Sequence, residues 1–285
     1  MTILSIQSYV CFGTVGNAAA LFSLQRLGHE VWPVPTVAFS NHPGYGSWRG
    51  HAIASDTVGA LIDGIRERGA FSRCKAVLSG YLGSTETGHA VMRAVSAVKA
   101  ASPAALFCCD PVIGDRDDGL YVPDDIVGFF RDRALALADI LVPNAFELEV
   151  LAGQPVASVD GAVAAARSIL GRGPKLVVIK SFKPTAEKNS QRIATLAVTA
   201  AEAWQVATPK LALRAKGAGD MFTALFLGYF LRSGDAADAL GRAASSAFAV
   251  IEATVAADAR ELALIQAQDR MAEPTRRFTA ECLET

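Results

Sequence analysis

The chain has 285 residues, of which 51% are hydrophobic and 19% are charged, and its formal net charge is -1. This composition predicts a globular protein with a sizeable core, and it excludes a disordered chain. Because charges of both signs are scattered, neither nucleic acid nor a membrane is expected as the partner, which leaves a small molecule. The N-terminus has no signal-peptide pattern, and the five cysteines show no metal-binding spacing, so we expect a cytoplasmic protein with reduced thiols.

Short apolar runs, which are typical of strands, alternate with segments of helical spacing along the chain. The predicted strands cover residues 3–8, 30–39, 75–80, 104–111, 139–144 and 175–181. The predicted helices cover residues 17–28, 55–69, 84–101, 124–137 and 159–173. This alternation predicts an α/β fold, in which a mostly parallel central sheet carries helices on both faces and residues 1–285 form a single domain. Binding sites in such sheets lie at the carboxyl ends of the strands.

The segment "KGAGDMF" at residues 216–222 is the first candidate site. Gly217, Ala218 and Gly219 let backbone N–H groups approach an anion, and the helix that follows adds the positive end of its dipole. Asp220 precedes eleven uncharged residues, which predicts a helix buried on nearly every side with its N-terminus opening into the protein. Taken alone, this pattern favours Asp220 as a helix cap, and the alternative is a reactive carboxylate.

Two further carboxylates follow neighbouring predicted strands. Asp110 ends "FCCD", and Asn144 and Glu147 lie in "VPNAFELE" at the opening of a helix. Each alone is an ordinary cap, but carboxylates at adjacent strand ends can hold Mg²⁺ directly or through water. Neither standard nucleotide fingerprint is present, and "GTVGNAAA" after the first strand is interpreted as a tight turn with close helix packing. A metal, an anion site and a base together predict phosphoryl transfer.

Nearly all of the chain resembles the pyridoxal kinase family of the ribokinase-like superfamily. The segments "SNHPGYGSWRG" and "SGYLG" are specific to these kinases, whereas "GAGD" and "PNAFE" are shared by the wider superfamily. The resemblance implies a ribokinase-like three-layer sandwich, a homodimer, and phosphorylation of the 5′-hydroxyl of pyridoxal, pyridoxamine or pyridoxine by ATP with Mg²⁺. It leaves open the preferred vitamin form and the use of a monovalent cation.

The resemblance also implies a role for individual residues. Asp220 would take the proton from the 5′-hydroxyl, and Gly217, Ala218 and Gly219 would form the anion hole for the transferring phosphoryl group. Asp110 and Glu147 would organise Mg²⁺ and the phosphates, with Asn144 beside them. The remaining nucleotide contacts implied are Lys180, Ser181, Thr208, Pro209, Lys210 and Leu211. The vitamin contacts implied are Ser8, His42, Pro43, Gly44 and Tyr81.

A lid near residues 111–123 is implied as well, with Asp115 and Tyr121 reaching the phosphates. Two positions depart from the family pattern: Ala218 stands where relatives usually have threonine, and Pro43, which lacks a backbone N–H, stands where many have threonine. Three other functions compete with this one. They are a hydroxymethylpyrimidine kinase, a nucleotide-dependent dehydratase of damaged nicotinamide cofactors, and a non-catalytic protein that binds the phosphorylated vitamin.

Overall fold

The computed structural model describes residues 1–183 and 191–284. Its strands are β1 (Thr2–Phe12), β2 (Glu30–Asn41), β3 (Gly50–Ala52), β4 (Cys74–Ser79), β5 (Leu106–Cys109), β6 (Gly114–Asp115), β7 (Gly119–Leu120), β8 (Ile140–Leu141), β9 (Leu176–Phe182), β10 (Arg192–Val198), β11 (Ala203–Pro209) and β12 (Glu281–Cys282). Its helices are α1 (Asn17–Arg26), α2 (Ser55–Glu67), α3 (Thr85–Ala101), α4 (Asp124–Phe129), α5 (Leu135–Leu137), α6 (Ala145–Ala152), α7 (Val159–Leu170), α8 (Ala218–Ser233), α9 (Ala236–Ala256) and α10 (Gln268–Ala272).

The described strands form a central sheet of ten strands in the order β12, β11, β10, β9, β8, β5, β4, β1, β2, β3. The six strands from β9 to β2 pair in parallel, whereas β3 at one edge and β10, β11 and β12 at the other pair antiparallel. The predicted mostly parallel sheet is therefore confirmed. A separate two-stranded hairpin, β6 with β7, lies in the segment predicted as a lid.

Alternation along the parallel strands supplies a core on each face of the sheet. In β1, Ile3 packs on the face that α1, α8 and α9 cover, while Leu4 and Ile6 pack on the opposite face with α2, α3 and α7. These strands appear uniformly apolar in the sequence because both of their faces are buried. The three-layer arrangement follows from that double burial.

Helix α8 is buried along most of its length, as its uncharged sequence predicts. Residues from Met221 to Tyr229 are all buried. The helix begins after Gly217, which has a φ of 88°, and ends before Gly234, which has a φ of 68°. Because L-residues with a side chain rarely adopt these angles, the two glycines define the ends of the helix.

The differences from the predicted elements are local. The predicted helix over 124–137 is divided into α4 and α5 by a wider π-helical turn at Phe130–Ala134. The predicted strand over 139–144 is reduced to the two residues of β8. Strand β2 contains Pro33 and Pro35. Its pairing with β3 involves only Val37 to Phe39, so β3 does not pair with the part of β2 that contains the two prolines.

Candidate active site

The predicted site residues gather at the carboxyl edge of the parallel strands. Ser8 lies late in β1, Tyr81 follows β4, Asp110 follows β5, Asn144 follows β8, and Lys180 lies near the end of β9. Each strand thus delivers one polar side chain to the same edge of the sheet. The switch from uniformly apolar residues to these polar ones marks the edge in the sequence.

Asp220 reaches this edge from the first turn of α8. The backbone N–H of Gly16, in the loop after β1, donates to Asp220 Oδ2 at 2.8 Å. The N-cap of α8 is Gly217, which offers no side chain, and the Asp220 carboxylate bonds another segment of the chain. The interpretation of Asp220 as a helix cap is therefore wrong. Ser8 lies beside this contact, because an added Cβ on Gly16 would be 2.3 Å from Ser8 Oγ.

The surroundings of Asp220 raise the pKa of its carboxyl group to about 6. Burial is the main cause, and the negative charge of Asp110 adds to it. The Gly16 N–H and the Lys180 ammonium oppose the shift because both favour the charged form. A carboxylate with this pKa is ionised at neutral pH and is more basic than an exposed aspartate, as a general base requires.

Asp110 and Lys180 form a buried ion pair beside Asp220. Asp110 is 1% exposed, and its Oδ2 accepts from Lys180 Nζ and, at 2.6 Å, from Thr223 Oγ1. Burial works to lower the pKa of Lys180, but Asp110, Glu147 and Asp220 together raise it above its ordinary value. The lysine is therefore held as a cation. An added Cβ on Gly219 would lie 3.5 Å from Lys180 Nζ, so the ammonium lies against the turn that begins α8.

Glu147 and Asn144 form a reciprocal capping box at the start of α6. Asn144 Oδ1 accepts from Glu147 N at 2.9 Å, and Glu147 Oε2 accepts from Asn144 N at 2.7 Å. The other oxygen, Glu147 Oε1, accepts from Ile113 N at 3.0 Å, and Asn144 Nδ2 donates to Gly114 O at 2.8 Å. These bonds tie the segment after β5 to α6. Burial raises the pKa of Glu147 to about 7, and the Lys180 charge limits the rise.

The chemistry of the carboxylates at this corner fits a Mg²⁺ ion, which Asp110 and Glu147 would hold. Mg²⁺ is usually held by one or two carboxylates together with water and substrate phosphates. Asp110 Oδ1 is buried and has no hydrogen-bond partner among the residues that the structure describes, so it is a free acceptor. The Glu147 oxygens each accept one backbone N–H and keep a lone pair. Within residues 1–183 and 191–284, no cluster of three or more His, Cys, Asp or Glu residues could hold a metal ion.

Most of the remaining residues predicted to contact the nucleotide line one cavity of about 140 Å³ between β9, β10, β11, α8 and α9. Those residues are Lys180, Ser181, Thr208, Pro209 and Leu211, together with Ala218. Lys210 is exposed, and its backbone N–H donates to Gln191 O at 2.7 Å. Ser181 has a φ of 54°, a strained angle for a residue with a side chain, and such angles cluster at ligand sites.

The residues predicted to contact the vitamin lie at or just after the ends of β1, β2 and β4, whereas the cavity lies beside β9, β10 and β11. His42 caps the short turn Pro43–Tyr45, because its Nδ1 accepts from Gly44 N at 3.0 Å. Pro43 is the first residue of this turn, a position where a missing N–H costs nothing. An added Cβ on Gly44 would lie 3.9 Å from Lys216 Cε, so the turn lies beside the residue that precedes Gly217.

Tyr81 is half-buried at the end of β4, and burial raises its pKa. Its backbone carbonyl accepts from Thr36 Oγ1 at 2.6 Å, which ties the segment after β4 to β2. This hydrogen bond holds the backbone from which the Tyr81 ring extends. The role predicted for Tyr81, to lie against the ring of the vitamin, stays a prediction.

In the predicted lid, Asp115 and Tyr121 bond to each other. Asp115 Oδ2 accepts from the Tyr121 hydroxyl, while Oδ1 accepts from Asp117 N and Asp118 N at 2.9 and 2.7 Å. Although burial raises the pKa of Asp115, these donors lower it below its ordinary value. The tip of the hairpin also reaches the segment just before α8, since Asp118 pairs with Lys216 at 3.7 Å. Contact of Asp115 and Tyr121 with phosphates stays a prediction.

Sequence reasoning missed three contributors to this site. Thr223 holds Asp110, and its spacing of three residues from Asp220 on one helix could have revealed it. Gly16 was interpreted only as a turn, and its donation to Asp220 joins positions 204 residues apart. Glu261 accepts from Thr14 N at 2.9 Å and carries no recognisable pattern around it.

Comparisons with known proteins agree with this fold. Residues 27–262 match the family model described as phosphomethylpyrimidine kinase. The chain is 49% identical to pyridoxal kinase PdxY of Rubrobacter xylanophilus, over 98% of this chain and 96% of the relative. It is 45% identical to pyridoxal kinase PdxY of Corynebacterium diphtheriae, over 99% of each chain. The structure of Leishmania donovani pyridoxal kinase in complex with ADP and pyridoxamine superposes with a TM-score of 0.92, at 30% identity and with 99% of each chain covered.

The sheet, the buried α8 and the polar carboxyl edge define a kinase of the ribokinase-like class, as the sequence predicted. Within that class, the chain belongs to the pyridoxal kinase family. In the part of the chain that the structure covers, no helix is both long and apolar enough to cross a bilayer.

Proposed function

We propose that the chain transfers the γ-phosphoryl group of ATP to the 5′-hydroxyl of pyridoxal or of a related form of the vitamin. The observation that carries this proposal is the convergence of Asp220, the Gly217–Gly219 turn and Lys180 at one edge of the sheet. A carboxylate, a helix N-terminus and a cation meet there, as proton removal and the stabilisation of a moving phosphoryl group require.

Asp220 acts as the general base. The Gly16 N–H orients its carboxylate, and burial leaves it basic enough to accept the proton of the 5′-hydroxyl as the oxygen attacks. The backbone N–H groups at the start of α8 stabilise the charge on the transferring group. Ala218 keeps this function because the donors are backbone groups and do not depend on its side chain.

On the nucleotide side, the Lys180 ammonium lies between Asp110 and the turn that begins α8, where it attracts the phosphates. Asp110 and Glu147 would hold Mg²⁺, with Asn144 fixing Glu147 in place. When bound, Mg²⁺ neutralises phosphate charge. The cavity between β9, β10, β11, α8 and α9 takes the base, and its apolar lining suits a flat ring.

On the vitamin side, Ser8 bonds the polar edge of the ring, Tyr81 lies against its face, and the turn from His42 to Gly44 closes the pocket. The position of Ser8 beside the Gly16 and Asp220 contact supports this arrangement. The hairpin of β6 and β7 covers the phosphates and excludes water, which otherwise competes with the hydroxyl. The family resemblance supports a cytoplasmic homodimer.

The decisive test measures ADP release by the native chain and by Asp220→Asn, with pyridoxal, pyridoxamine and pyridoxine. Because a positioned base contributes roughly 10² to 10⁴ in rate, we expect kcat to fall by about that factor in the variant while the KM for ATP changes little. Asp269→Asn is the control, since that carboxylate is 92% exposed, and its kcat should stay within about twofold of native. A kcat for Asp220→Asn within about tenfold of native excludes Asp220 as the base.

The same assay decides among the competing functions. The match to the phosphomethylpyrimidine kinase model favours hydroxymethylpyrimidine as the second candidate substrate. We expect kcat/KM for pyridoxal to exceed that for hydroxymethylpyrimidine by at least about tenfold, and the reverse order supports the alternative. A protein that binds pyridoxal 5′-phosphate but releases no ADP with any substrate is a binding protein. Consumption of hydrated nicotinamide cofactor supports the dehydratase.

A further inference from the structure

Glu261 connects two loops of the vitamin side from a distant part of the chain. It lies between α9 and α10, more than two hundred residues from either loop. Its Oε2 accepts from Thr14 N at 2.9 Å and from Thr14 Oγ1 at 3.3 Å, and its Oε1 accepts from the Tyr45 hydroxyl. The Tyr45 hydroxyl has a single hydrogen, and the carboxylate is nearer to it than Arg260 O, which lies at 3.4 Å.

Thr14 belongs to the loop that positions the base. It lies two residues before Gly16, the donor to Asp220. Its carbonyl also packs against Gly217, because an added Cβ there would lie 1.8 Å from Thr14 O. Leu262 N donates to Thr14 Oγ1 at 3.1 Å, so two consecutive residues hold the threonine in one place. Glu261 is thereby fixed relative to the reacting end of the site.

Tyr45 belongs to the turn that is proposed to close the vitamin pocket. Its backbone N–H donates to His42 O at 3.1 Å and ends the short turn Pro43–Tyr45. Its ring contacts Phe12, the last residue of β1, with ring centroids 6.4 Å apart. The side chain is 41% exposed, so packing alone does not hold it. The hydrogen bond to Glu261 raises the pKa of Tyr45 to about 12, as expected for a phenol whose proton is shared with a carboxylate.

We propose that Glu261 is a positioning residue for the reaction: by joining Tyr45 to Thr14, it holds the turn of residues 42–46 in place over the vitamin beside the base. This inference rests on the proposed function, because it assumes that the turn closes the vitamin pocket. Glu261 touches neither reacting group. Its loss therefore weakens binding of the vitamin and leaves the nucleotide cavity unaffected.

The test compares Tyr45→Phe, Glu261→Gln and the double variant. Tyr45→Phe removes one hydroxyl and keeps the ring beside Phe12. We expect each single variant to raise both the KM and the directly measured Kd for pyridoxal by about five- to tenfold. The effect should be moderate because the hydrogen bond between Tyr45 and the charged Glu261 is strong in kind but partly exposed to solvent. The KM for ATP should stay within about twofold. The double variant should be no worse than the more affected single variant, because both single variants disrupt the same hydrogen bond between Tyr45 and Glu261.

Tyr9→Phe is the matched control, because Tyr9 is also 41% exposed. It should change neither KM. Hydrogen exchange supplies a readout that does not depend on turnover: the amides of Gly44, Tyr45 and Gly46 should exchange faster in Glu261→Gln than in the native chain. A purely structural role predicts instead a lower melting temperature with equal changes in both KM values.

The outcomes separate this inference from the proposed function. A native chain that phosphorylates the vitamin, with variants whose KM and Kd for pyridoxal stay within twofold, overturns the role of Glu261 alone. A native chain that binds pyridoxal but does not phosphorylate it overturns the proposed function, while the Kd values still decide the role of Glu261 in binding. A native chain that binds no form of the vitamin overturns both.

Discussion

Asp110 and Lys180 form a buried ion pair in which each side chain balances the charge of the other. Removing either partner leaves an uncompensated buried charge, which costs about 3 to 5 kcal/mol in comparable proteins. Thr223 adds a second contact to the same Asp110 oxygen, and the other oxygen has no partner among the described residues. One carboxylate oxygen of Asp110 is therefore engaged by the protein, and the other is left as an acceptor for the proposed ligand.

His29 is a buried residue whose titration links stability to pH. It is 4% exposed, and its Nε2 donates to Gly228 O at 3.0 Å. Burial, followed by the charges of the N-terminus and of Arg232, lowers its pKa from 6.5 to about 4. As the pH falls, His29 thus takes up a proton near pH 6.5 in the unfolded chain but only near pH 4 in the folded chain. The free energy of unfolding should fall as the pH drops through this window, by at most about 3 kcal/mol.

Urea unfolding of the native chain and of His29→Gln at several pH values measures this effect. Glutamine keeps a donor for Gly228 O but takes up no proton. We expect the difference in unfolding free energy between the two proteins to shift in favour of the variant as the pH falls from 6.5 to 4. His51→Gln, at an exposed histidine, should follow the native curve. If His29→Gln loses stability as steeply as the native chain, His29 is not the group responsible.

At the scale of elements, the two ends of α8 have different requirements for glycine. Gly217 and Gly234 both have positive φ angles, of 88° and 68°. An added Cβ on Gly217 would meet Thr14 O at 1.8 Å, whereas around Gly234 it would meet nothing within 4 Å. The first glycine is needed for close approach between α8 and the loop after β1. The second is needed only for its backbone angle.

Alanine at each position separates these two effects. Gly234→Ala should cost about 1 kcal/mol in the free energy of unfolding, from backbone strain alone. Gly217→Ala adds a steric clash that pushes α8 away from the Thr14 loop, so it should lower kcat/KM by at least about a hundredfold and destabilise the protein further. Urea unfolding and steady-state kinetics measure both. Equal kinetic losses in the two variants contradict the close-approach argument.

The sequence predicts the parallel strands and most helices correctly, and it misses the antiparallel part of the sheet. The parallel strands are apolar on both faces, which is a strong local pattern. Strand β12 has two residues, and its pairing with β11 depends on a segment more than seventy residues away.

For the site, strand ends reveal Asp110, Asn144 and Lys180. The donor Gly16 is not recognisable, because a backbone N–H leaves no residue-type signal.

At the scale of the whole molecule, the ten strands form one continuous hydrogen-bonded sheet. This continuity supports the proposal that the chain is a single domain. Trp32 in β2 and Trp204 in β11 lie near opposite ends of the sheet and report on each end separately. Variants that keep only Trp32 or only Trp204, with Trp48 replaced in both, should unfold in urea with midpoints that agree within about 0.3 M. Separate midpoints indicate two independently folding parts.

The contact between Gly16 and Asp220 has a consequence for synthesis of the protein. The loop that orients the Asp220 carboxylate is translated first, and Asp220 itself follows two hundred residues later. A chain that stops before residue 220 can contain the whole of β1 and its loop yet lacks the carboxylate that is proposed as the base. On the proposed mechanism, catalytic competence arises late on the ribosome, and incomplete copies of the chain carry no phosphotransferase activity.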